Sequence, residues 1–225
     1  MCCASPVIGE GRLFLAAWSP GEDMQLPAFD ALLKESGDEP LGHITRDGLD
    51  RTMLKGFFDN QDFNHDEKLT RDEWDSALKF MKNTKNSAFA LKPGGSGDVT
   101  TSHVVWRKTK GLPYVPSVLF YRGQCLTVKD GGIVTAFDAA SGDELYTKRV
   151  GANGRYYASP VAANGHIYLT SLDDGTITVM KAGTDKPEVV AKNELQERIA
   201  ATPAIANDVL YVRTAGHIYA FGEGK

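Results

Sequence analysis

The chain has 225 residues, of which 42% are hydrophobic and 24% charged, and its formal net charge is −4. This composition supplies apolar material for a core and excludes the strongly basic surfaces that bind nucleic acid or anionic membranes. No apolar run approaches the roughly 18 to 20 residues of a membrane span, and the first residues lack the basic-then-apolar pattern of a signal peptide. We therefore expect a globular protein with no nucleic-acid partner and no transmembrane segment.

The three cysteines are Cys2, Cys3 and Cys125. An odd number of cysteines without a Cys-x-x-Cys pair indicates neither a disulfide framework nor a zinc site. A vicinal disulfide between Cys2 and Cys3 is conceivable, although residues at a chain terminus are more often unstructured. The cysteines therefore do not identify a cellular compartment.

A short sequence unit occurs four times along the chain. Each copy opens with a small residue and a proline, continues as an apolar strand, turns at Gly, Asn or Asp, and returns as an alternating strand. The copies are residues 4–15, 115–126, 158–170 and 201–212. From Ser117 to Ser159 is 42 residues and from Ser159 to Thr202 is 43, a spacing typical of propeller blades. From Ser5 to Ser117 is 112, so the first repeat contains an insertion.

The insertion has a helical pattern. After Trp18 the apolar spacing changes from two to that of a helix, in three segments. The apolar residues are Phe29, Leu32 and Leu33; Leu49, Met53 and Phe57, with Leu54 and Phe58 beside them; and Trp74, Ala77, Leu78 and Met81. We predict three helices in a subdomain of residues 20–86, inserted into β-propeller blades formed by residues 1–19 and 87–225.

The segment Asp62–Glu73 lies between the second and third predicted helices and matches the twelve-residue calcium loop of an EF-hand. Calcium takes about six to eight oxygen ligands, and such a loop supplies them from alternate positions. The predicted ligands of one calcium ion are Asp62, Asn64, Asp66, the backbone carbonyl of Lys68, Thr70 directly or through water, and Glu73. Leu69 would pack inward. The alternative is a helix–loop–helix whose acidic loop is merely solvated.

Position six of the loop departs from the EF-hand pattern. It is normally glycine, because the chain turns there with positive φ, and here it is Glu67. A residue with a side chain in that conformation costs on the order of 1 kcal/mol, which corresponds to a roughly five-fold loss of affinity. The substitution therefore predicts weakened calcium binding rather than none.

EF-hands usually occur in pairs, so we looked for an upstream partner. Aligning residues 44–47 with residues 69–72 places a second loop at Gly37–Gly48, with Gly42 at position six. Its ligand positions hold Gly37, Glu39, Leu41 and Gly48, and Pro40 interrupts it. We predict that this loop binds no metal, and that Ile44 and Leu69 meet in the short strand pair that couples the two loops.

The first blade is expected to resume after the insertion, with strands at Ser87–Leu91 and Ser102–Arg107 around a flexible return at Pro93–Gly97. The second, third and fourth blades are predicted at about 112–151, 155–195 and 198–221. The fourth contains only three predicted strands.

A motif in the second blade makes the fold recognisable. The segment Ala136–Tyr146 is similar to the docking motif of pyrroloquinoline quinone (PQQ)-type β-propellers, Ala-x-Asp-x-x-Thr-Gly-x-x-x-Trp, with Ser141 for Thr and Tyr146 for Trp. Asp138 and Ser141 can bond the turn, Gly142 allows positive φ, and the aromatic ring can wedge against a neighbouring blade. Trp106 occupies the comparable place in the first blade, and the third blade has lost the motif.

The resemblance covers about two thirds of the chain and implies a mainly β fold. We expect a partial, about four-blade β-propeller of four-stranded antiparallel blades with a small α-helical EF-hand insertion. Propellers have about four to eight blades. Because three and three-quarter blades are readable, we interpret the chain as the C-terminal part of a larger propeller, whose ring further blades or a second chain would complete. The resemblance also implies an extracytoplasmic location, in the periplasm or cell envelope.

The resemblance implies two classes of function. PQQ-dependent dehydrogenases hold quinone and calcium in the central funnel, and non-enzymatic propellers of this type bind other proteins. The predicted inner strands carry no acidic residue, so we favour a calcium-binding, non-enzymatic binding or scaffold protein with unidentified protein partners, without PQQ. The alternative is a fragment of a PQQ-dependent oxidoreductase. A third interpretation makes calcium a purely structural ion.

Two arginines add one further hypothesis. Arg155 and Arg198 each precede the small hydroxyl residue of their repeat by four positions, at the mouth of the funnel. Two such guanidinium groups could hold an anionic ligand. The alternative is that each arginine is solvated or bonds its own loop.

Overall fold

The computed structural model describes residues 4–18, 26–83 and 86–222. The chain divides into two compact units, one of residues 1–19 and 86–225 and the other of residues 20–85. The first unit is built of β-strands and the second of short helices. Cys2 and Cys3 lie outside the described residues, so the vicinal disulfide stays a prediction.

The strands of the first unit form consecutive antiparallel sheets. In chain order they are β1 Val7–Gly9, β2 Arg12–Ala17, β3 Ser87–Leu91, β4 Val104–Lys108, β5 Leu119–Tyr121, β6 Gln124–Lys129, β7 Ile133–Asp138, β8 Glu144–Arg149, β9 Val161–Ala163, β10 His166–Thr170, β11 Thr176–Lys181, β12 Val189–Glu194, β13 Ala204–Ala206, β14 Val209–Arg213 and β15 Ile218–Phe221. Strands β1 to β4, β5 to β8, β9 to β12 and β13 to β15 pair in sequence order as blades 1 to 4. The prediction of a mainly β fold with antiparallel, propeller-type blades is confirmed.

Two-residue turns join the first two strands of every blade. The turn residues are Glu10 and Gly11, Arg122 and Gly123, Asn164 and Gly165, and Asn207 and Asp208, and all eight have positive φ. Two successive positive φ values define the hairpin turn whose twist matches that of paired strands. This requirement explains why the turn of the repeat is rich in Gly, Asn and Asp.

Blade 1 is formed by two segments that are distant in sequence. Strand β2 pairs with β3 from Leu13 opposite Leu91 to Ala17 opposite Ser87. The helical unit therefore lies in the chain between two strands that are neighbours in one sheet.

The blades bury their apolar side chains against one another. Between blades 1 and 2 lie Phe14, Ala88, Trp106, Cys125 and Phe137. The ring of Phe14 is stacked on that of Phe120, with centroids 5.3 Å apart. Further clusters join blade 2 to blade 3 and blade 3 to blade 4. Because side chains alternate between the faces of a strand, blades 2 and 3 each bury one face against the preceding blade and the other against the next.

The docking motif of blade 2 has the predicted geometry. The Oδ1 atom of Asp138 accepts hydrogen bonds from the backbone N–H groups of Ala140 and Ser141 and from the Ser141 hydroxyl. Gly142 has a φ of 77°. A Cβ atom on Gly142 would lie 2.6 Å from Cγ of Trp106, whose indole N–H donates to the Ala139 carbonyl at 3.0 Å. The aromatic residue of blade 1 therefore packs on the glycine of the motif in blade 2.

A chain of hydrogen bonds links the small hydroxyl residues that define the repeat. The N–H of Ser5 donates to Oγ of Ser117, the N–H of Ser117 to Oγ of Ser159, and the N–H of Ser159 to Oγ1 of Thr202, at 2.9, 2.9 and 3.0 Å. We call these three bonds the hydroxyl relay. Each bond joins one blade to the next, which gives the hydroxyl at this position a physical role.

The helical unit differs from prediction in its middle segment. Its helices are α1 Phe29–Ser36, α2 Arg46–Leu49, α3 Phe58–Gln61 and α4 Arg71–Asn83, with a short 3-10 helix at Glu39–Leu41. The second predicted helix is thus two short helices joined by turns. The predicted apolar stripe is also wrong there, because Met53 is 83% and Phe57 39% exposed, whereas Leu54 and Phe58 are buried.

Local polar bonds explain the break between α2 and α3. The Thr52 hydroxyl donates to the Leu49 carbonyl and accepts the N–H of Leu54, and the Asp50 carboxylate accepts the N–H of Gly56. Gly56 has a φ of 80°, which a helix does not permit. Such side-chain bonds compete with helical backbone bonds, so the segment turns instead of continuing.

The hydroxyl relay predicts unequal effects of two similar substitutions. Replacing Ser159 with Ala removes the acceptor of a partly buried N–H and should lower the free energy of unfolding by about 1 kcal/mol. Ser96→Ala is the matched control, because the Ser96 hydroxyl is exposed and has no hydrogen-bond partner among the described residues, and it should change stability by less than about 0.5 kcal/mol. Urea unfolding followed by circular dichroism measures both. Equal effects would contradict a stabilising role of the relay.

Candidate metal centre

The segment Asp62–Glu73 connects two helices of the second unit. Helix α3 ends at Gln61, Asp62 follows it directly, and α4 begins at Arg71. Phe58 on α3 and Trp74 on α4 are both buried in the core of this unit. Packing of the two flanking helices therefore fixes both ends of the loop.

The first half of the loop is organised around Asp62. Its side chain is buried, with Oδ1 accepting the N–H of Asp66 at 3.2 Å and Oδ2 accepting the N–H of Glu67 at 3.0 Å. The Oδ1 atom of Asn64 accepts the same Asp66 N–H at 3.0 Å. Side-chain oxygens from positions one and three thus converge on one point inside the loop. The Asp66 carboxylate accepts the N–H of Lys68, whose own side chain is exposed.

The two ends of the loop meet at Glu73. Its Oε1 accepts the N–H of Phe63 at 3.2 Å, and its Oε2 accepts the N–H and hydroxyl of Thr70 at 2.9 and 2.7 Å. Thr70 directly precedes α4 and Glu73 is its third residue, which is the capping-box arrangement. Burial raises the pKa of Glu73, but the bonds from the Thr70 hydroxyl and from backbone N–H groups outweigh it, so that the pKa is lowered.

The loop turns through positive φ at two residues that carry side chains. Glu67 has a φ of 63°, as predicted from its place in the loop, and His65 has a φ of 57°. Both conformations are strained for residues other than glycine. The Glu67 carboxylate lies 3.5 Å from Arg46, but both side chains are largely exposed, so this ion pair contributes little.

The donor set of the loop suits a hard cation. Asp62, Asn64, Asp66, Thr70 and Glu73 contribute side-chain oxygens, and no nitrogen or sulfur ligand is among them. Among the described residues, however, no three His, Cys, Asp or Glu side chains meet in a geometry that could hold a metal ion. The carboxylates instead accept N–H groups of the loop itself, as described above. A bound cation would have to draw these oxygens together.

The upstream loop is joined to this one by the predicted strand pair. Ile44 and Leu69 form an antiparallel bridge, with both N–H···O distances at 2.9 Å, and both side chains are fully buried. The predicted meeting of these two residues is confirmed.

The upstream loop is held by a side chain of the protein. Oδ2 of the buried Asp38 accepts the N–H and hydroxyl of Thr45 at 2.7 and 2.9 Å, and Arg51 lies 3.4 Å from Oδ1. Arg51 also donates to the Ser36 carbonyl. A Cβ atom on Gly48 would lie 1.9 Å from Oδ2 of Asp38, which explains glycine at the position where a calcium loop has glutamate. Asp38 occupies no ligand position of the calcium-loop pattern, so the sequence alone does not single it out.

The structure does not bring Arg155 and Arg198 together as two free guanidinium groups. Arg155 forms a two-point ion pair with Asp173, with contacts of 2.5 and 3.3 Å, and its N–H also donates to Asp173. Arg155 therefore bonds a loop, which was the alternative interpretation. Arg198 lines a cavity of about 320 Å³ on blade 4, together with Arg213 and Thr214.

Cys125 is the one cysteine within the described residues, and it is buried between blades 1 and 2. Burial raises the pKa of its thiol to about 12, so it has no nucleophilic or metal-binding character at neutral pH.

The helices in the described residues are too short or too polar to cross a membrane.

Comparison with known proteins gives one family. A sequence profile of PQQ repeats described as outer membrane protein assembly factor BamB matches residues 96–221. No curated protein sequence matches the chain.

Three different proteins are among the solved structures to which the chain is similar. BamB from Moraxella catarrhalis is 21% identical, with a TM-score of 0.46, over 60% of this chain and 39% of that one. A europium-containing methanol dehydrogenase is 14% identical, with a TM-score of 0.38, over 48% and 21%. The computationally designed Ika4 protein is 15% identical, with a TM-score of 0.46, over 63% and 88%. The chain thus spans well under half of the two natural proteins.

The positive φ of Glu67 predicts that glycine stabilises the loop. Glu67→Gly should raise the free energy of unfolding of the helical unit by about 1 kcal/mol, because glycine adopts this conformation without strain. Glu67→Ala removes the same carboxylate and keeps the strain, so it should produce no such gain. The helical circular dichroism signal during thermal unfolding measures both variants, and equal melting temperatures would contradict the explanation.

The lowered pKa of Glu73 predicts a pH dependence. A carboxyl group whose pKa is lower in the folded state stabilises the fold above its unfolded value, near 4.5, and this contribution disappears as the pH falls through the folded value. The difference in melting temperature between the metal-free chain and its Glu73→Gln variant should therefore shrink as the pH is lowered from neutral to below about 4. A difference independent of pH would show that the ionised form of Glu73 is not the stabilising one.

Proposed function

Because the chain belongs to the PQQ-repeat β-propeller family described as outer membrane protein assembly factor BamB, we propose that it is a calcium-binding, non-enzymatic propeller that acts as a binding or scaffold protein. The family profile matches more than half of the chain, including blades 2 to 4. The helical unit is, in this proposal, an EF-hand insertion.

The observation that carries calcium binding is the internal arrangement of the loop. Asp62 and Asn64 direct oxygens at the same N–H, and both oxygens of Glu73 are held where the two ends of the loop meet. Calcium would be held by Asp62, Asn64, Asp66, the Lys68 carbonyl, Thr70 and Glu73. Bound there, it would supply positive charge among carboxylates that otherwise repel one another, and would join α3 to α4 through the loop.

The proposal includes one calcium site rather than two. In the upstream loop the guanidinium of Arg51 lies against the buried carboxylate of Asp38, and Thr45 bonds the other oxygen of that carboxylate. A protein cation thus already balances the charge of the buried carboxylate in this loop. The Ile44–Leu69 bridge would transmit any change in one loop to the other.

The non-enzymatic role is supported by the inner strands of the blades. A quinone enzyme requires a carboxylate base and metal ligands that converge on the central funnel. Strands β5, β9 and β13 consist of apolar and aromatic residues without an acidic side chain. Membership of a family described as an outer membrane assembly factor supports an extracytoplasmic location and a protein as the partner.

Calorimetric titration of calcium into chelator-treated chain tests the proposal. We expect one site per chain and a higher melting temperature of the helical unit when calcium is bound. Glu73→Gln keeps the shape of the side chain and removes the charge that closes the site, so it should weaken binding by at least about tenfold. Because Glu67 already has a φ of 63° in the metal-free loop, its strain is common to the free and bound states, so Glu67→Gly should leave the affinity within about twofold.

Asp75→Asn is the matched control, because it removes one negative charge from an exposed position on α4 outside the loop. It should leave the affinity within about twofold of the parent chain. If the parent chain gives neither heat nor a shift in melting temperature, the calcium site does not exist and the helical unit is a spacer. Calcium-dependent retention of an envelope protein would make the ion a signal, and a melting shift alone would make it structural.

A further inference from the structure

The hydroxyl relay has an unused group at each of its two ends. The hydroxyl of Ser5, at blade 1, accepts no N–H from the described residues, and the N–H of Thr202, at blade 4, donates to none of them. Each of the three bonds within the chain joins the backbone N–H of one blade to the side-chain hydroxyl of the following blade. The donor left at blade 4 and the acceptor left at blade 1 are therefore the two halves of one more step.

The apolar residues of the repeat show the same incomplete step. In blades 1, 2 and 3 the residue nine positions after the small hydroxyl residue faces the following blade. These residues are Phe14, Leu126 and Tyr168, and each packs in an apolar cluster with residues of that following blade. The equivalent residue of blade 4 is Tyr211, which alternates with the buried Val212 and so points away from blade 3. Tyr211 is 38% exposed, and Ile218 on the same face is 75% exposed.

Blade 1 presents the complementary face. The residue three positions after the hydroxyl faces the preceding blade, as Phe120 does when it stacks on Phe14. Its equivalent in blade 1 is Ile8, which is 78% exposed and shares its face with Leu13. Ile8 on blade 1 and Tyr211 on blade 4 are therefore exposed at the two positions that pair Phe120 with Phe14 between blades 1 and 2.

We propose that a second copy of this chain closes the ring. Blade 4 of one copy would pack against blade 1 of its partner, with the Thr202 N–H directed to the Ser5 hydroxyl and Tyr211 against Ile8. The same contact would form a second time between blade 4 of the partner and blade 1 of the first copy. The two copies would then form a closed two-fold ring of eight blades, within the range of about four to eight that propellers adopt.

Continuity with the blade contacts inside the chain favours a second copy as the partner of the two open faces. Each open face lacks a partner that the other open face already provides, in the same register as the three blade contacts observed within the chain. The proposed interface thus continues an existing one and requires no new type of contact. It is independent of calcium and of the helical unit, so it can fail while the proposed function stands.

Sedimentation velocity over a wide range of chain concentrations tests the proposal. We expect a species of twice the 24.4 kDa of the chain. Ile8→Lys places a charge on the blade 1 side of the proposed interface, and Tyr211→Asp places one on the blade 4 side. Each should weaken the dimer by at least about a hundredfold and give a single chain, with unchanged circular dichroism. Met53→Lys alters an exposed apolar residue of the helical unit and should leave the dimer intact.

Mixing the two variants distinguishes this ring from other dimers. In an equimolar mixture one of the two contacts joins the new lysine to the new aspartate and the other is unaltered, so the dimer should reappear. A face-to-face dimer would not be restored in this way. The proposal is overturned if the parent chain is a single chain at all concentrations, which would leave these faces to further blades, if either variant still dimerises, or if the mixture does not.

Discussion

The bond from a backbone N–H to the hydroxyl of the next blade is the contact on which the propeller unit depends. It occurs at the same position in each of the three contacts between successive blades. Between blades 1 and 2, the ring of Phe14 stacks on that of Phe120, and Trp106 packs on the turn at Gly142. The apolar contacts supply most of the stabilisation, since burial of such areas is worth more than a single hydrogen bond. The bond to the hydroxyl adds a directional contact at one fixed position between each pair of successive blades.

The two loops of the helical unit satisfy their carboxylates with different partners. A loop that wraps tightly around carboxylates must offer them positive charge or N–H donors, because a buried carboxylate without partners is costly. In the upstream loop Asp38 receives Thr45 and the guanidinium of Arg51. In the downstream loop the carboxylates of Asp62 and Asp66 receive the loop's own N–H groups. The two loops therefore differ in which groups satisfy their carboxylates.

The sequence predicted the features that depend on local chemistry. The repeat, the hairpin turns, the docking motif at Ala136–Tyr146 and the meeting of Ile44 with Leu69 follow from residue type and spacing. Features that depend on partners distant in sequence were not readable. The role of Arg155 stayed open between a ligand contact and a loop contact because its partner Asp173 lies 18 residues away. The second predicted helix was wrong because Thr52 and Asp50 bond the backbone in turns. The roles of Asp38 and Arg51 depend on a contact that no motif describes.

The placement of the helical unit has a consequence for how the fold tolerates change. Ala17 and Ser87 are paired across adjacent strands, so the segment between them is topologically a hairpin loop, however many residues it contains. The entropy of closing such a loop rises only with the logarithm of its length, so each doubling costs about 0.6 kcal/mol. The entropic cost of a long insertion at this point of blade 1 is therefore only slightly larger than that of a short turn. This junction is a natural grafting point, at which one module can be exchanged for another while the surrounding sheet keeps its hydrogen bonds.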